Sequence, residues 1–159
     1  MSQFRVEKRR AEAELTLSGG THVRGWFFLS DSAAMHAGPE RVADLLNTEP
    51  GFFPFAPSGG TTIDTVLVNR AHVISVKLLE GTDEPRADPG YDVATERHVV
   101  MRLSNGSSLA GAVRVYRPPG RDRLSDYARL PDVFRYVESP DGVFVVNSAH
   151  IVDLKETPA

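Results

Sequence analysis

The chain repeats itself, and this limits its fold more than any other feature. Leu17-Ser18-Gly19-Gly20 returns as Leu103-Ser104-Asn105-Gly106, and Gly25 returns as Gly111, both at an offset of 86. Arg41-Val42-Ala43-Asp44 returns as Arg123-Leu124-Ser125-Asp126 at an offset of 82. Phe53-Pro54-Phe55 returns as Phe134-Arg135-Tyr136. Val68-Asn69-Arg70-Ala71-His72-Val73 returns as Val146-Asn147-Ser148-Ala149-His150-Ile151 at an offset of 78. The order is kept, and the offset shrinks in small steps, as loop deletions would produce. A copied sequence forms the same local structure twice, so the chain is two like units or one larger barrel with pseudo-twofold symmetry.

The stretch Glu80-Gly81-Thr82-Asp83-Glu84-Pro85-Arg86-Ala87-Asp88-Pro89-Gly90 has the acid, Pro and Gly content of a solvated linker. The expected division is a first small β-barrel unit over 1–80, an acidic Pro/Gly linker over 81–96 and a second small β-barrel unit over 97–159. Units this small bury a modest share of their surface. They are therefore expected to pack on each other or on other copies.

Each unit reads as mostly strand. Ala13, Leu15 and Leu17 alternate with Glu12, Glu14 and Thr16, the period of a half-buried strand; His98–Leu103 is the matching run. Gly19-Gly20 and Asn105-Gly106 read as two-residue hairpin turns that need positive φ. Second strands follow at His22–Leu29 and Ser108–Tyr116. They hold Gly25 and Gly111, where a strand glycine marks a bend, a bulge or a close backbone approach. Short helices are expected over Pro39–Asn47, with Val42, Leu45 and Leu46 on one side, and over Asp122–Leu130, with Leu124, Tyr127 and Ala128 on one side. Pro50 and Pro131 end them. Further strands are expected at Phe52–Ala56, Thr62–Val68 and Val73–Leu78, and at Val133–Glu138, Val143–Val146 and Ile151–Leu154. Asn69–His72 and Asn147–His150 form the corners before the last strands, where Asn tolerates a left-handed backbone.

Five short strands with a tight corner before the fifth resemble the Sm-like barrel of the Lsm and Hfq kind. Leu103-Ser104-Asn105-Gly106-Ser107-Ser108-Leu109-Ala110-Gly111 is similar to the first Sm motif, and Val145 to Leu154 to the second in its Hfq form. The first unit carries the same elements less cleanly, and an SH3-like barrel of another family meets the same pattern. The fold class implied is mostly β: two tandem Sm-like or SH3-like five-stranded barrels, each with a short helical insert. The resemblance also implies assembly through strand edges. Sm proteins bind RNA through the loop after the second strand, but here helical inserts, Asp31–Asn47 and Pro118–Leu130, replace it. RNA or DNA binding is therefore carried as the alternative.

Composition narrows the function classes. Eighteen Lys+Arg stand against 21 Asp+Glu, a net charge of −3, without the basic surplus typical of a dedicated nucleic-acid binder. The chain has no cysteine, which removes disulfides, thiolate nucleophiles and thiolate metal sites. No signal-peptide pattern opens the sequence and no apolar run approaches the roughly 20 residues of a membrane span. A cytoplasmic protein without membrane contact is expected.

His72 and His150 recur at the corners with Asn69 and Asn147, as candidate ligand contacts or as imidazoles bonded to a corner carbonyl. One His per corner lacks the ligand set of a zinc site, and His22, His36 and His98 are scattered, so no metal is expected. No nucleophile elbow, Walker loop or dinucleotide fingerprint occurs; Gly59-Gly60-Thr61-Thr62 reads as a flexible loop. No cofactor and no catalytic residue are expected. Asp44 and Asp126 follow Arg41 and Arg123 by three residues, the spacing of an ion pair on a helix surface. Trp26, Phe28, Phe53, Phe55, Phe134 and Tyr136 are candidate interface residues, since aromatics supply much of the energy at interfaces. Arg114, Arg117 and Arg121, interleaved with Tyr116 and near Tyr127, are candidate nucleic-acid contacts; Arg5, Lys8, Arg9 and Arg10 form a second basic stretch. The expected function is a non-catalytic binding or scaffold module. It forms a homo-oligomer through barrel edges and is open to a protein partner.

Overall fold

The computed structural model describes residues 8–31, 38–59 and 64–158. His36, Arg5, Gly60, Thr61 and the start of the Thr62–Val68 strand lie outside the described residues. The first half holds β1 (Lys8–Leu17), β2 (His22–Ser30), α1 (Val42–Thr48), β3 (Phe52–Pro57), β4 (Val66–Asn69) and β5 (Val73–Leu78). The second holds β6 (Thr95–Leu103), β7 (Ser108–Val115), α2 (Leu124–Ala128), β8 (Phe134–Ser139), β9 (Gly142–Asn147) and β10 (Ile151–Glu156).

The strands form one antiparallel sheet in the order β10-β6-β7-β8-β9-β5-β1-β2-β3-β4. Within each half the order is the same: fifth, first, second, third, fourth. The halves join where β9 pairs with β5, with Ser75 opposite Val146, Val76 opposite Val145 and Lys77 opposite Phe144. That junction makes one ten-stranded sheet where two separate barrels were expected, and its end strands β4 and β10 do not pair with each other.

Two apolar clusters fill the interior. One gathers Ala13, Leu15, Phe27, Leu29, Phe53 and Phe55 with α1 residues Val42, Leu45 and Leu46. The other gathers Val99, Met101, Val113, Val115, Tyr127 and Val137. Each also takes side chains from the opposite half: Phe134, Val143 and Val145 enter the first cluster, and Ile74 enters the second. Fully burying such a side chain contributes about 1.5–3 kcal/mol, so the halves are fastened by their cores as well as by the β9–β5 ladder. Phe27 stacks on Phe53 at 5.4 Å and meets Phe55 edge-on at 5.2 Å.

The glycine reading of the second strands holds. A Cβ at Gly111 would sit 2.7 Å from the Glu138 carbonyl oxygen, and one at Gly25 would meet the Ala56 carbonyl and lie 2.7 Å from a Phe55 ring carbon. Two turn expectations change. Leu17 and Leu103 donate to the carbonyls of Thr21 and Ser107, which closes three-residue loops, not two-residue ones. Asn105 keeps negative φ while Gly106 takes +87°, because the Asn105 side chain accepts from the Ser107 amide at 3.0 Å. Likewise Asn69 and Asn147 are extended at φ −78° and −77°; their side chains cap the next turn instead of the backbone turning left-handed.

The 81–96 stretch is not solvated throughout. It folds into two 3-10 turns, Glu84–Ala87 and Tyr91–Val93, and buries Glu84, Pro85 and Tyr91. Thr95 and Glu96 already belong to β6. Along α2, Tyr127 is buried but Ala128 is exposed.

Candidate functional site: two corners and the edges beside them

The recurring corners are 3-10 turns at Arg70–His72 and Ser148–His150. Asn69 accepts from the Ala71 amide and Asn147 from the Ala149 amide, both at 3.0 Å. Each turn is tied to its own first hairpin. Ser18 donates its amide to the His72 carbonyl at 2.7 Å, and Ser104 donates its amide to the His150 carbonyl at 2.8 Å. The hydroxyls of the same serines lie 2.6 Å from His72 Nδ1 and 2.7 Å from His150 Nδ1.

The corners differ in what lies beyond them. Asn147 is buried, and its Nδ2 donates to the Val73 carbonyl at 2.9 Å. His150 donates from Nε2 to the Ala71 carbonyl at 2.8 Å. Both bonds run from the second half to the first, across the β9–β5 junction. A third tie comes from α1. Asn47 donates to the Phe134 carbonyl at 2.9 Å and accepts from the Phe134 amide at 2.8 Å, as a neighbouring strand would. The corner histidines thus act here as hydrogen-bonding struts, and His150 meets the corner carbonyl that one sequence reading called for.

On the edge strands Val66, Leu67 and Val152 are exposed, as is Phe52 on β3 beside β4. Strand β4, Val66-Leu67-Val68-Asn69, carries no charge. An uncharged open edge is a template for pairing with another chain.

The chain matches no known protein family, no curated protein and no solved structure.

The candidate interface aromatics separate into three settings. Phe53 and Phe55 are interior residues of the first half. Phe134 and Tyr136 pack from β8 onto the first half's cluster, so they belong to the internal junction. Trp26 and Phe28 are half-buried on the opposite face of β2 from Phe27, with the Arg10 guanidinium 6.0 and 5.9 Å from their ring centres. Among the candidate nucleic-acid contacts, Arg114 is committed. It pairs with Glu96 at 3.0 Å and Glu138 at 3.3 Å and lies 3.7 Å over the Tyr91 ring. Arg117 and Arg121 are exposed and share an open hollow with Arg129 and Asp126.

Sequence reasoning missed a buried polar cluster between α1, the Glu84–Ala87 turn and β8. Both Glu84 carboxylate oxygens accept from the Val42 amide, at 3.1 and 3.2 Å, and the Tyr136 hydroxyl donates to Glu84 at 2.8 Å. Burial pushes the Glu84 carboxyl up to about 7, against the pull of Tyr136, Val42 and Arg41. Burial also pushes the Tyr136 phenol above its ordinary range, reinforced by Glu84. Arg41 holds Asp44 through two nitrogens, both at 3.0 Å, and reaches Asp88 at 2.7 Å. The Arg41–Asp44 spacing was legible, but its extension to the 81–96 stretch was not. Arg70, also buried, donates to the carbonyls of Phe52 at 2.8 Å and Leu45 at 3.0 Å, closing the end of α1. Among the described residues no group of three His, Asp or Glu side chains is placed to hold a metal ion, and no helix is long and apolar enough to cross a membrane.

Proposed function

We propose that the chain is a non-catalytic scaffold or binding module, built from two Sm-like or SH3-like five-stranded units, that associates with copies of itself through its sheet edges. The observation that carries this reading is the sheet order. The same five-strand arrangement occurs twice, one copy docks on the other by strand pairing, and one edge of each kind is left open. A surface that already pairs unit to unit inside the chain is suited to do so between chains. The setting in this proposal is the cytoplasm.

Size-exclusion chromatography with light scattering tests it. The expected particle is a multiple of 17.4 kDa whose population grows with concentration. A strictly monomeric particle at every concentration overturns the reading.

A second reading, nucleic-acid binding, draws on the gathering of Arg117, Arg121 and Arg129 around one hollow. It requires a mobility shift with mixed oligonucleotides that weakens steeply with salt, because phosphate contacts release counterions. Absence of a shift at about 50 mM salt removes it.

A further inference from the structure

We propose that the hollow beside α2 binds a single phosphate group, free or esterified to a small molecule, through Arg117, Arg121 and Arg129. The site is independent of self-association. It takes the arginines on which the nucleic-acid reading draws to a different ligand.

Pairing singles these three residues out. The second half, residues 97–159, holds nine Lys+Arg. Arg97, Arg102, Arg114 and Arg123 form ion pairs with carboxylates. Arg135 donates to the carbonyls of Tyr127, Leu130 and Asp132, each at 2.7 Å. Among the described residues the other four, Arg117, Arg121, Arg129 and Lys155, have no side-chain partner. Three of these four line one hollow of about 190 Å³, together with Asp126. Asp126 is already engaged: it accepts from the Arg123 amide at 3.0 Å and pairs with Arg123 Nε at 3.6 Å. Three unpaired guanidiniums therefore line the hollow with one carboxylate whose charge is met by Arg123.

The fold does not ask for these charges. Arg41 with Asp44 and Arg123 with Asp126 recur because each pair closes the first turn of its helix. At the same offset of 82, Pro39 stands in the place of Arg121 and Asn47 in the place of Arg129. Neither offset of the repeat sets a base opposite Arg117, since Asp31 stands there at 86 and Met35 at 82. The first half builds its copy of this region without the three arginines, so they are surplus to folding.

The backbone presents two of them on a stiff frame. Arg117 and Arg121 bracket Pro118-Pro119-Gly120. The Arg121 amide donates to the Pro118 carbonyl at 3.0 Å, and Gly120 takes φ +90°. Pro at the second position and a left-handed Gly at the third are what a type II turn requires. Arg129 follows directly from the last turn of α2. Holding the bases in place beforehand lowers the ordering cost of binding.

The charge pattern selects the ligand. A guanidinium meets phosphate oxygens through paired N–H bonds. A phosphate monoester offers three acceptor oxygens and close to two negative charges at neutral pH, against two oxygens and one charge for a carboxylate. A nucleic-acid backbone instead needs cations in succession. Beyond the hollow, the remaining unpaired base of the second half is Lys155, on the end strand β10.

Isothermal titration with inorganic phosphate, ribose 5-phosphate and ribose, at about 50 mM salt, tests the proposal. Both phosphates are expected to bind and ribose is not. Equal affinities point to free phosphate as the ligand, and tighter binding of the ester points to a phosphorylated small molecule; either supports the site. Arg117→Gln, Arg121→Gln and Arg129→Gln are each expected to weaken binding at least about tenfold, the weight of one hydrogen bond to a charged group. All three arginines are exposed, so the far-ultraviolet circular dichroism should not change. Lys155→Gln removes an equal charge away from the hollow and is expected to leave the affinity as it was. If it weakens binding as much as the others, the attraction is diffuse and the proposal falls. Binding of both phosphates weaker than about 10 mM also overturns it. A mixed-sequence oligonucleotide without terminal phosphates is expected not to displace ribose 5-phosphate. Displacement that fades steeply with salt overturns the single-phosphate site and leaves the nucleic-acid reading standing.

Discussion

His150 donates from Nε2 to the carbonyl of Ala71 at 2.8 Å while its Nδ1 meets the Ser104 hydroxyl at 2.7 Å, so one imidazole links three chain segments of both halves. His72 repeats the serine half of this arrangement with Ser18 at 2.6 Å and meets no carbonyl among the described residues. A net hydrogen bond of this kind is worth about 0.5–1.5 kcal/mol. His150→Ala is expected to lower the stability of the isolated chain by about 1 kcal/mol, and His72→Ala by less. Urea unfolding at concentrations below assembly checks the difference. Equal losses would mean that the Ala71 bond contributes nothing.

Asn147 gives a sharper version of the same contrast. It is buried, caps the Ala149 amide at 3.0 Å and serves the Val73 carbonyl at 2.9 Å. Asn147→Ala leaves a donor and an acceptor unserved near the junction, at about 1–3 kcal/mol for a buried unsatisfied group. Asn69→Ala removes only the Ala71 cap within one chain, and its expected cost is under about 1 kcal/mol. Denaturation midpoints of the two variants should therefore separate clearly, with Asn147→Ala the lower.

What was legible in the sequence is what the backbone itself demands twice. Gly25 and Gly111 recur because a carbonyl crosses directly over each, and the alternation of Ala13 and Leu15 with Glu12 and Glu14 follows from a strand with one buried face. The corners were visible for the same reason, although the Asn residues there work through their side chains and not through a left-handed backbone. The junction was less visible. Phe53 and Phe134 occupy matched positions, yet one is an interior residue of its own half and the other packs across to its neighbour; a repeat alone does not say which copy of a surface is in use. Glu84 was least visible. Its charge and its Pro and Gly neighbours read as solvent-facing, while the groups that accept it into the interior, Val42 and Tyr136, lie 42 and 52 residues away.

The two strand glycines make a graded prediction. A Cβ at Gly111 approaches the Glu138 carbonyl oxygen at 2.7 Å and the Val137 side chain at 2.8 Å; one at Gly25 collides with backbone atoms of Ala56 and with the Phe55 ring. Forced overpacking typically costs about 1–3 kcal/mol. Gly111→Ala is expected in that range, and Gly25→Ala at or above its upper end because its obstacle is closer and includes a ring fixed between core residues. Thermal melting checks the order of the two. A Gly25→Ala chain that melts with the wild type would show that β2 and β3 separate freely, contrary to their packing.

Glu84 makes stability depend on pH in an unusual direction for a carboxyl. Burial disfavours its charged form, so the folded chain holds the proton up to about 7, whereas an unperturbed carboxyl releases it near 4.5. With the folded value raised, the stabilising contribution is fully present below about 4.5 and is lost as pH rises through about 7. The shift corresponds to a ceiling on the order of 3 kcal/mol between those limits. Other carboxylates, such as Asp153 held below its usual range by Arg102, work in the opposite sense, so the comparison that isolates Glu84 is with Glu84→Gln. The amide keeps an oxygen for the Val42 amide and the Tyr136 hydroxyl but carries no charge at any pH. The variant is expected to gain on the wild type as pH rises from about 5 to about 8, read as a rise in its melting temperature relative to that of the wild type. A gap that stays constant over that range would show that Glu84 ionises in the folded chain as readily as in the unfolded one.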